Sequence, residues 1–174
     1  MKYFVKLFVV TSFLLLYTHS YAQAKVAYLD MTYILNNSKA GKGAQDFLKN
    51  SLKKSQEKFT NNEAKLKKEE GDILSKKNDL KKEEFQQKLD ALRKKVIDYQ
   101  SERKLILEKI TKQRADARQK LIKTIDPILK DYIQQNEITL LIDKKNVIMG
   151  NADLDITNII IEKLNKELPS LNLN

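Results

Sequence analysis

Apolar and polar positions alternate with several different periods along this chain. Lys25-Val-Ala-Tyr-Leu-Asp30 is rich in β-forming residues and predicts a short strand, with Met31 to Leu35 adding a short helical turn. Asn36-Asn37-Ser38 breaks that turn, and Ser38 can cap the helix that follows. From about Ala44 to Lys77 the only strong breaker is one Gly, and Leu52, Phe59, Leu66, Ile73 and Leu80 recur seven apart. A seven-residue recurrence lines side chains along one stripe of a helix that can coil on a partner. One apolar residue per heptad is a sparse seam, with Ser55 and Asn62 filling intervening positions.

Apolar density falls at Ser75-Lys-Lys-Asn-Asp79, which predicts a turn. Beyond it, Phe85, Leu89, Leu92, Val96, Tyr99, Arg103, Ile106 and Ile110 alternate steps of four and three. That is a coiled-coil seam with a basic break at Arg103. Glu84–Lys88, Asp90–Lys94, Glu108–Lys112 and Asp116–Lys120 are acid-before-base pairs that suit exposed helix faces. The stripe then broadens through Leu121, Ile122, Ile125, Ile128, Leu129, Tyr132 and Ile133, as where a helix enters a packed core. Asp126-Pro127 predicts a break or kink there, with Asp126 as a cap. Ile138 to Ile142 predicts a strand, Asp143 to Asn146 a turn, and Val147-Ile-Met149 a second short strand closed by Gly150-Asn151. Asp155 can cap a last helix from Ile156 to Leu168, stopped by Pro169.

The fold class is therefore α+β and mostly α: a small β-containing body with a long protruding antiparallel helical hairpin. The body takes residues 23–43 and 125–174, and the hairpin arm residues 44–124, with its tip near 75–82. So small a core is marginal for a monomer, and self-association through the strand-bearing ends is the expected remedy.

The first 22 residues read differently. Lys2 and Lys6 precede an almost wholly apolar run from Leu7 to Leu16, and Ser20-Tyr21-Ala22 places small residues at the −3 and −1 positions of a cut. This is the layout of a secretory signal peptide cleaved after Ala22, with a cut after Ala24 as the second choice. The run is too short to span a bilayer. Cleavage removes His19, the only His, and the chain has no Cys. Serine–histidine and cysteine–histidine nucleophilic sites, thiolate clusters and His-based metal sites are then excluded. No carboxylate, lysine or tyrosine constellation replaces them, so no enzyme and no cofactor is expected. Gly41-Lys42-Gly43 lacks the spacing of a phosphate loop and reads as a loose helix start or a tight backbone contact.

Charge separates the arm from the body. The chain carries 33 Lys+Arg against 23 Asp+Glu. Residues 53–120 hold 21 basic and 13 acidic residues, whereas residues 23–52 and 121–174 together are neutral. The arm can serve simply as a solvated face, or as an attractive field toward an acidic polypeptide or anionic lipid. Nucleic acid is not expected, given the export signal and the absence of interleaved aromatic platforms.

Taken together, Lys25-Val-Ala-Tyr-Leu-Asp-Met31, the Lys/Glu/Gln-rich hairpin, Ile138-Thr-Leu-Leu-Ile-Asp143 and Asp155-Ile-Thr157 resemble the Skp/OmpH-like periplasmic chaperones over essentially the whole mature chain. The resemblance implies a homotrimer in which a β-rich body carries three arms around a cavity. It implies an ATP-independent holdase for unfolded outer-membrane β-barrel proteins, with lipopolysaccharide or other anionic lipid as a further partner of some members. Under it, Val26, Tyr28, Leu140 and Ile142 are candidates for oligomerisation. Phe59, Leu66, Phe85, Leu89 and Leu92, with Lys76, Lys77, Lys81 and Lys82, are candidates for the arm seam and client contact. Two other readings stand beside it: a coiled-coil envelope tether, and a basic module for anionic lipid or lipopolysaccharide.

Overall fold

The computed structural model describes residues 24–173. The predicted signal peptide lies outside the described residues. Strand β1 (Val26–Leu29) pairs in parallel with β2 (Leu140–Asp143), in the register Val26↔Leu140 to Leu29↔Asp143. Parallel neighbours need a long crossover. Here the crossover is the entire arm. On its other side β1 meets Asp155 in a single parallel bridge, where Ile156 N–H donates to the Tyr28 carbonyl at 3.0 Å.

Asp30 ends β1 and caps α1 (Met31–Asn37), accepting from Tyr33 N–H at 2.7 Å. Ser38 both closes α1 and opens α2 (Lys39–Ser75). Its N–H donates to the Ile34 carbonyl, and its hydroxyl accepts from Gly41 N–H at 3.2 Å. Gly41 sits hard against α1: a Cβ there would stand 1.9 Å from the Leu35 carbonyl oxygen. The tight-contact reading of this glycine is the one realised.

The turn after Ser75 leads into α3 (Lys82–Gln135), which runs back antiparallel to α2. At 1.5 Å per residue the two helices extend about 55 and 80 Å. Asp126-Pro127 does not break the helix, contrary to expectation; Pro127 lies inside α3, and Asp126 is not a cap but pairs with Lys130 at 2.8 Å. Leu121, Ile125 and Ile128 are buried on either side of the proline. Burying each such side chain is worth about 1.5–3 kcal/mol. Together they outweigh the roughly 3 kcal/mol cost of an interior proline.

Glu137 adopts φ 54 just past α3. Glu137 N–H reaches the Gln134 carbonyl at 3.3 Å and Ile138 N–H the Ile133 carbonyl at 3.0 Å, the paired bonds of a Schellman stop. This stop delays the strand to Leu140. After β2, a 3-10 turn (Lys144–Asn146) and a second (Ala152–Leu154) lead to α4 (Thr157–Glu167). The second strand predicted at Val147–Met149 does not form within the chain. The segment bends at Ile148 and Met149 instead, and the sheet keeps two strands.

The body core gathers Ala27 and Leu29 of β1, Ile34 of α1, Ala40 of α2, Leu121, Ile125 and Ile128 of α3, and Ile156, Ile160 and Leu164 at α4. Ile34, Ile160 and Leu164 are wholly buried. The broadening of the apolar stripe at Leu121 marks the entry of α3 into this core, as the pattern predicted.

Candidate functional site: the arm and its base

The arm is held by one thin seam. Leu48, Phe59 and Ile73 of α2 and Leu92, Ile110 and Ala117 of α3 are buried along it. Leu66, Phe85 and Leu89 are half-buried beside them. Of the sequence candidates, Phe59 is 2% exposed. The Tyr99 ring meets it edge-on at 6.3 Å, and the Arg103 guanidinium lies 5.6 Å over its face. Glu63 completes the cluster, accepting from the Tyr99 hydroxyl at 2.5 Å and from Arg103 at 3.3 Å. The hydrogen bond to Glu63, with some burial, pushes the Tyr99 phenol above its ordinary range. The basic break read at Arg103 is thus a cation lid on the seam's one buried aromatic.

Ion pairs bridge the helices on either side of this cluster: Lys58 with Glu102, and Lys95 with Glu69 at 2.6 Å. Along α3 the pairing differs from the sequence expectation. Asp90 pairs with Arg93, Glu108 with Lys104 and Asp116 with Lys112. Exposed pairs are worth only tenths of a kcal/mol, so a carboxylate choosing between cations on either side takes whichever rotamer packs.

Packing consumes Phe59 and Leu92, so neither is open to a ligand on this chain. Other apolar side chains face solvent instead. Ile97 is 61% and Leu105 65% exposed, with Leu74, Leu107 and Ile122 also exposed. Sequence reasoning passed over these residues except Ile122, which it placed in the stripe entering the core and which is 40% exposed instead. The available signal was that Ile97, Leu105 and Leu107 are apolar yet fall off the Val96–Tyr99–Arg103–Ile106 register. Lys76, Lys77, Lys81 and Lys82 gather at the tip, all exposed.

At the base of the arm, α1, α2 and α3 enclose a groove of about 890 Å³. Its floor is aliphatic, with Leu35, Leu48, Leu52 and Leu121. Lys42 and Lys49 rise on the α2 side and Arg114 and Arg118 on the α3 side.

The body candidates separate by exposure. Tyr28 is buried in its own chain; its hydroxyl donates to the Asn151 carbonyl at 3.0 Å, and Lys144 Nζ lies 5.9 Å from its ring centre. Gly150 packs against that ring so closely that a Cβ would stand 2.9 Å from it. Val26 and Ile142 are half-buried, and Leu140 is exposed. Ile148 and Met149 project almost completely into solvent. Lys144 pairs with Asp155 at 2.6 Å. Asp155 also accepts from the Thr157 N–H and hydroxyl, so it braces the start of α4, but it is not the expected cap: the N-cap is Ile156, which has no side-chain cap bond. Burial pushes the Asp155 carboxyl up, but the bonds from Lys144 and Thr157 outweigh it and hold the group below the usual carboxylate range. Among the described residues there is no cluster of metal-ligating side chains, and no helix is long and apolar enough to cross a membrane.

The comparisons with known proteins fit this geometry. A protein from Caulobacter crescentus CB15, described as an OmpH-like outer membrane chaperone, has a crystal structure that superposes with a TM-score of 0.79 at 19% identity. The match covers 89% of this chain and 92% of that one, and at this identity it speaks for the fold. No curated protein matches the chain. The outer membrane protein (OmpH-like) family matches residues 25–164, spanning β1, the whole arm, β2 and most of α4, and the chain belongs to that family.

Proposed function

We propose that this protein is an ATP-independent periplasmic holdase that encloses unfolded outer-membrane β-barrel proteins between helical arms and keeps them from aggregating. Family membership and the chaperone description of the Caulobacter neighbour support a chaperone role. The observation that carries the finer reading is the arm itself: a long hairpin with Ile97, Leu105 and Leu107 standing in solvent among lysines and arginines. Scattered apolar contacts on an extended basic surface suit a partner that must be held and then released. Of the seam candidates, Leu66, Phe85 and Leu89 remain partly accessible beside this surface, and Lys76, Lys77, Lys81 and Lys82 supply its charge at the tip.

Enclosure needs more than one arm, and a homotrimer supplies them. Leu140 and Ile142 on β2, with Val26 beside them, offer apolar surface and strand edge to a second copy, and the unpaired Val147–Met149 adds exposed apolar side chains. Tyr28 supports that surface from within its own chain. Export through the signal peptide at 1–22 places the protein in the periplasm. The exposed tip lysines favour a second reading, contact with anionic lipid or lipopolysaccharide, which liposome flotation at low and high salt tests.

The deciding experiment follows light scattering when a urea-unfolded outer-membrane β-barrel protein is diluted into buffer with the mature chain, from Gln23 onward. Suppression by stoichiometric protein without nucleotide supports the holdase. Unchanged scattering at low salt and excess protein sinks it and favours the envelope tether.

A further inference from the structure

We propose that the groove at the base of the arm is a binding site for an extended polypeptide segment that carries acidic residues among aliphatic ones. The proposal rests on the holdase reading and deepens it, by adding a built subsite to arms that otherwise present scattered contacts.

Three observations support it. First, the lining contains no Asp or Glu, although acidic residues are common along both helices. Second, its four cations are unspent: among the described residues, none of Lys42, Lys49, Arg114 and Arg118 takes part in an ion pair. Their neighbours Lys58, Arg103, Lys104 and Lys112 are all paired. Third, the floor is aliphatic and partly open, with Leu52 43% exposed above the buried Leu48 and Leu121.

The placement of the cations selects the occupant. The antiparallel register set by Phe59–Arg103 and Glu63–Tyr99 puts Lys42 and Arg118 on the body side of the groove, and Lys49 and Arg114 farther out along the arm. Seven residues of helix separate the two lysines by about 10 Å. That is the span of roughly three residues of extended chain. A single-headed amphiphile would use the cations at one end and leave the others idle. A segment with carboxylates a few residues apart meets cations on both walls along its whole length, while its aliphatic side chains cover Leu52. Arg114 and Arg118 can each take a carboxylate in bidentate fashion.

The test uses fluorescence anisotropy with the full mature chain. The probe is a fluorescein-labelled peptide in which aspartates alternate with leucine and valine, and the control is its asparagine counterpart. The proposal expects the aspartate peptide to bind and the counterpart to bind at least about tenfold more weakly. Arg114→Gln with Arg118→Gln should cost a similar factor, and Leu52→Gln, an exposed position, should weaken binding by several-fold. Lys76→Gln with Lys77→Gln at the tip should change it by less than about twofold, because screening confines the effect of distant exposed charges. Equal loss from the tip variant would overturn the site in favour of a general basic field. Dodecyl phosphate binding in place of the peptide would overturn it in favour of an amphiphile. Loss of oligomer in the arginine variant, read by sedimentation, would overturn it in favour of a second copy. The holdase reading fails separately: unchanged scattering with retained peptide binding sinks the holdase and keeps the site.

Discussion

The body and the arm are built from similar helices and held by opposite means. In the body, four helices and two strands converge on one closed core, in which Ile34, Ile160 and Leu164 are wholly buried. In the arm, two helices share a seam one side chain wide, and the packing between Leu48 and Ile73 centres on Phe59, Tyr99 and Arg103. The body has many neighbours per residue and should open as one unit; the arm has few and should open piecemeal. Under the proposed holdase reading, in which clients of different size are surrounded, that division is useful. Stiffness at the base fixes where the arm starts, and a thin seam lets it bend.

The largest effect expected from breaking this contrast is in the body. Ile160→Ala removes a wholly buried side chain from the junction of α4 with the rest and should cost about 2–5 kcal/mol. Urea unfolding followed by circular dichroism should show one transition at a lower midpoint. Phe59→Ala comes next, at about 1–3 kcal/mol, less than a closed core would lose because water reaches the seam from both sides. Hydrogen exchange should accelerate in the middle of α2 and α3 and stay unchanged at β1 and α4. Equal acceleration in both regions would erase the distinction.

A third prediction concerns the polar pin of the body. Asp155 has a lowered native pKa, so its contribution is present above the ordinary aspartate range near pH 4 and fades as pH falls through the lower native value. Lys144 is raised by its bond to Asp155, so its share persists at neutral pH and is lost only above the ordinary lysine range. Asp155→Asn should therefore cost on the order of 1 kcal/mol at neutral pH and progressively less in acid. Urea midpoints measured from pH 7 down to 3 should converge for the two proteins. The smallest effect is a gain. Glu137→Gly relieves a left-handed residue at the end of α3 and should stabilise by about 0.5–1 kcal/mol, read as a modest rise in Tm.

Much of the body and arm could be read from the chain. β1, the Ser38 junction and the hairpin turn after Ser75 all depend on local chemistry, and the structure has each of them; at the last helix the cap falls one residue later than expected, at Ile156. The candidate site was less legible. Phe59 and Leu92 share the apolar character of Leu105 and Ile97, yet the first pair is packed and the second exposed, because helix rotation about the seam decides which side the partner helix covers. The basal groove was missed as a unit, since Lys42, Lys49, Arg114 and Arg118 come from distant parts of the sequence. Only the antiparallel register brings them level.

What the sequence determined by itself was periodicity: where helices run, where they turn, and that their charge differs from that of the ends. These follow from interactions among residues within a few positions of each other. Tertiary structure decided the rest. It carried α3 through Pro127 because core burial on both sides outweighed the local cost, and it took the bond from Ile156 N–H, not a strand at Val147–Met149, to the open side of β1. Both outcomes depend on surfaces contributed by residues far away in the chain, where local propensity has no say.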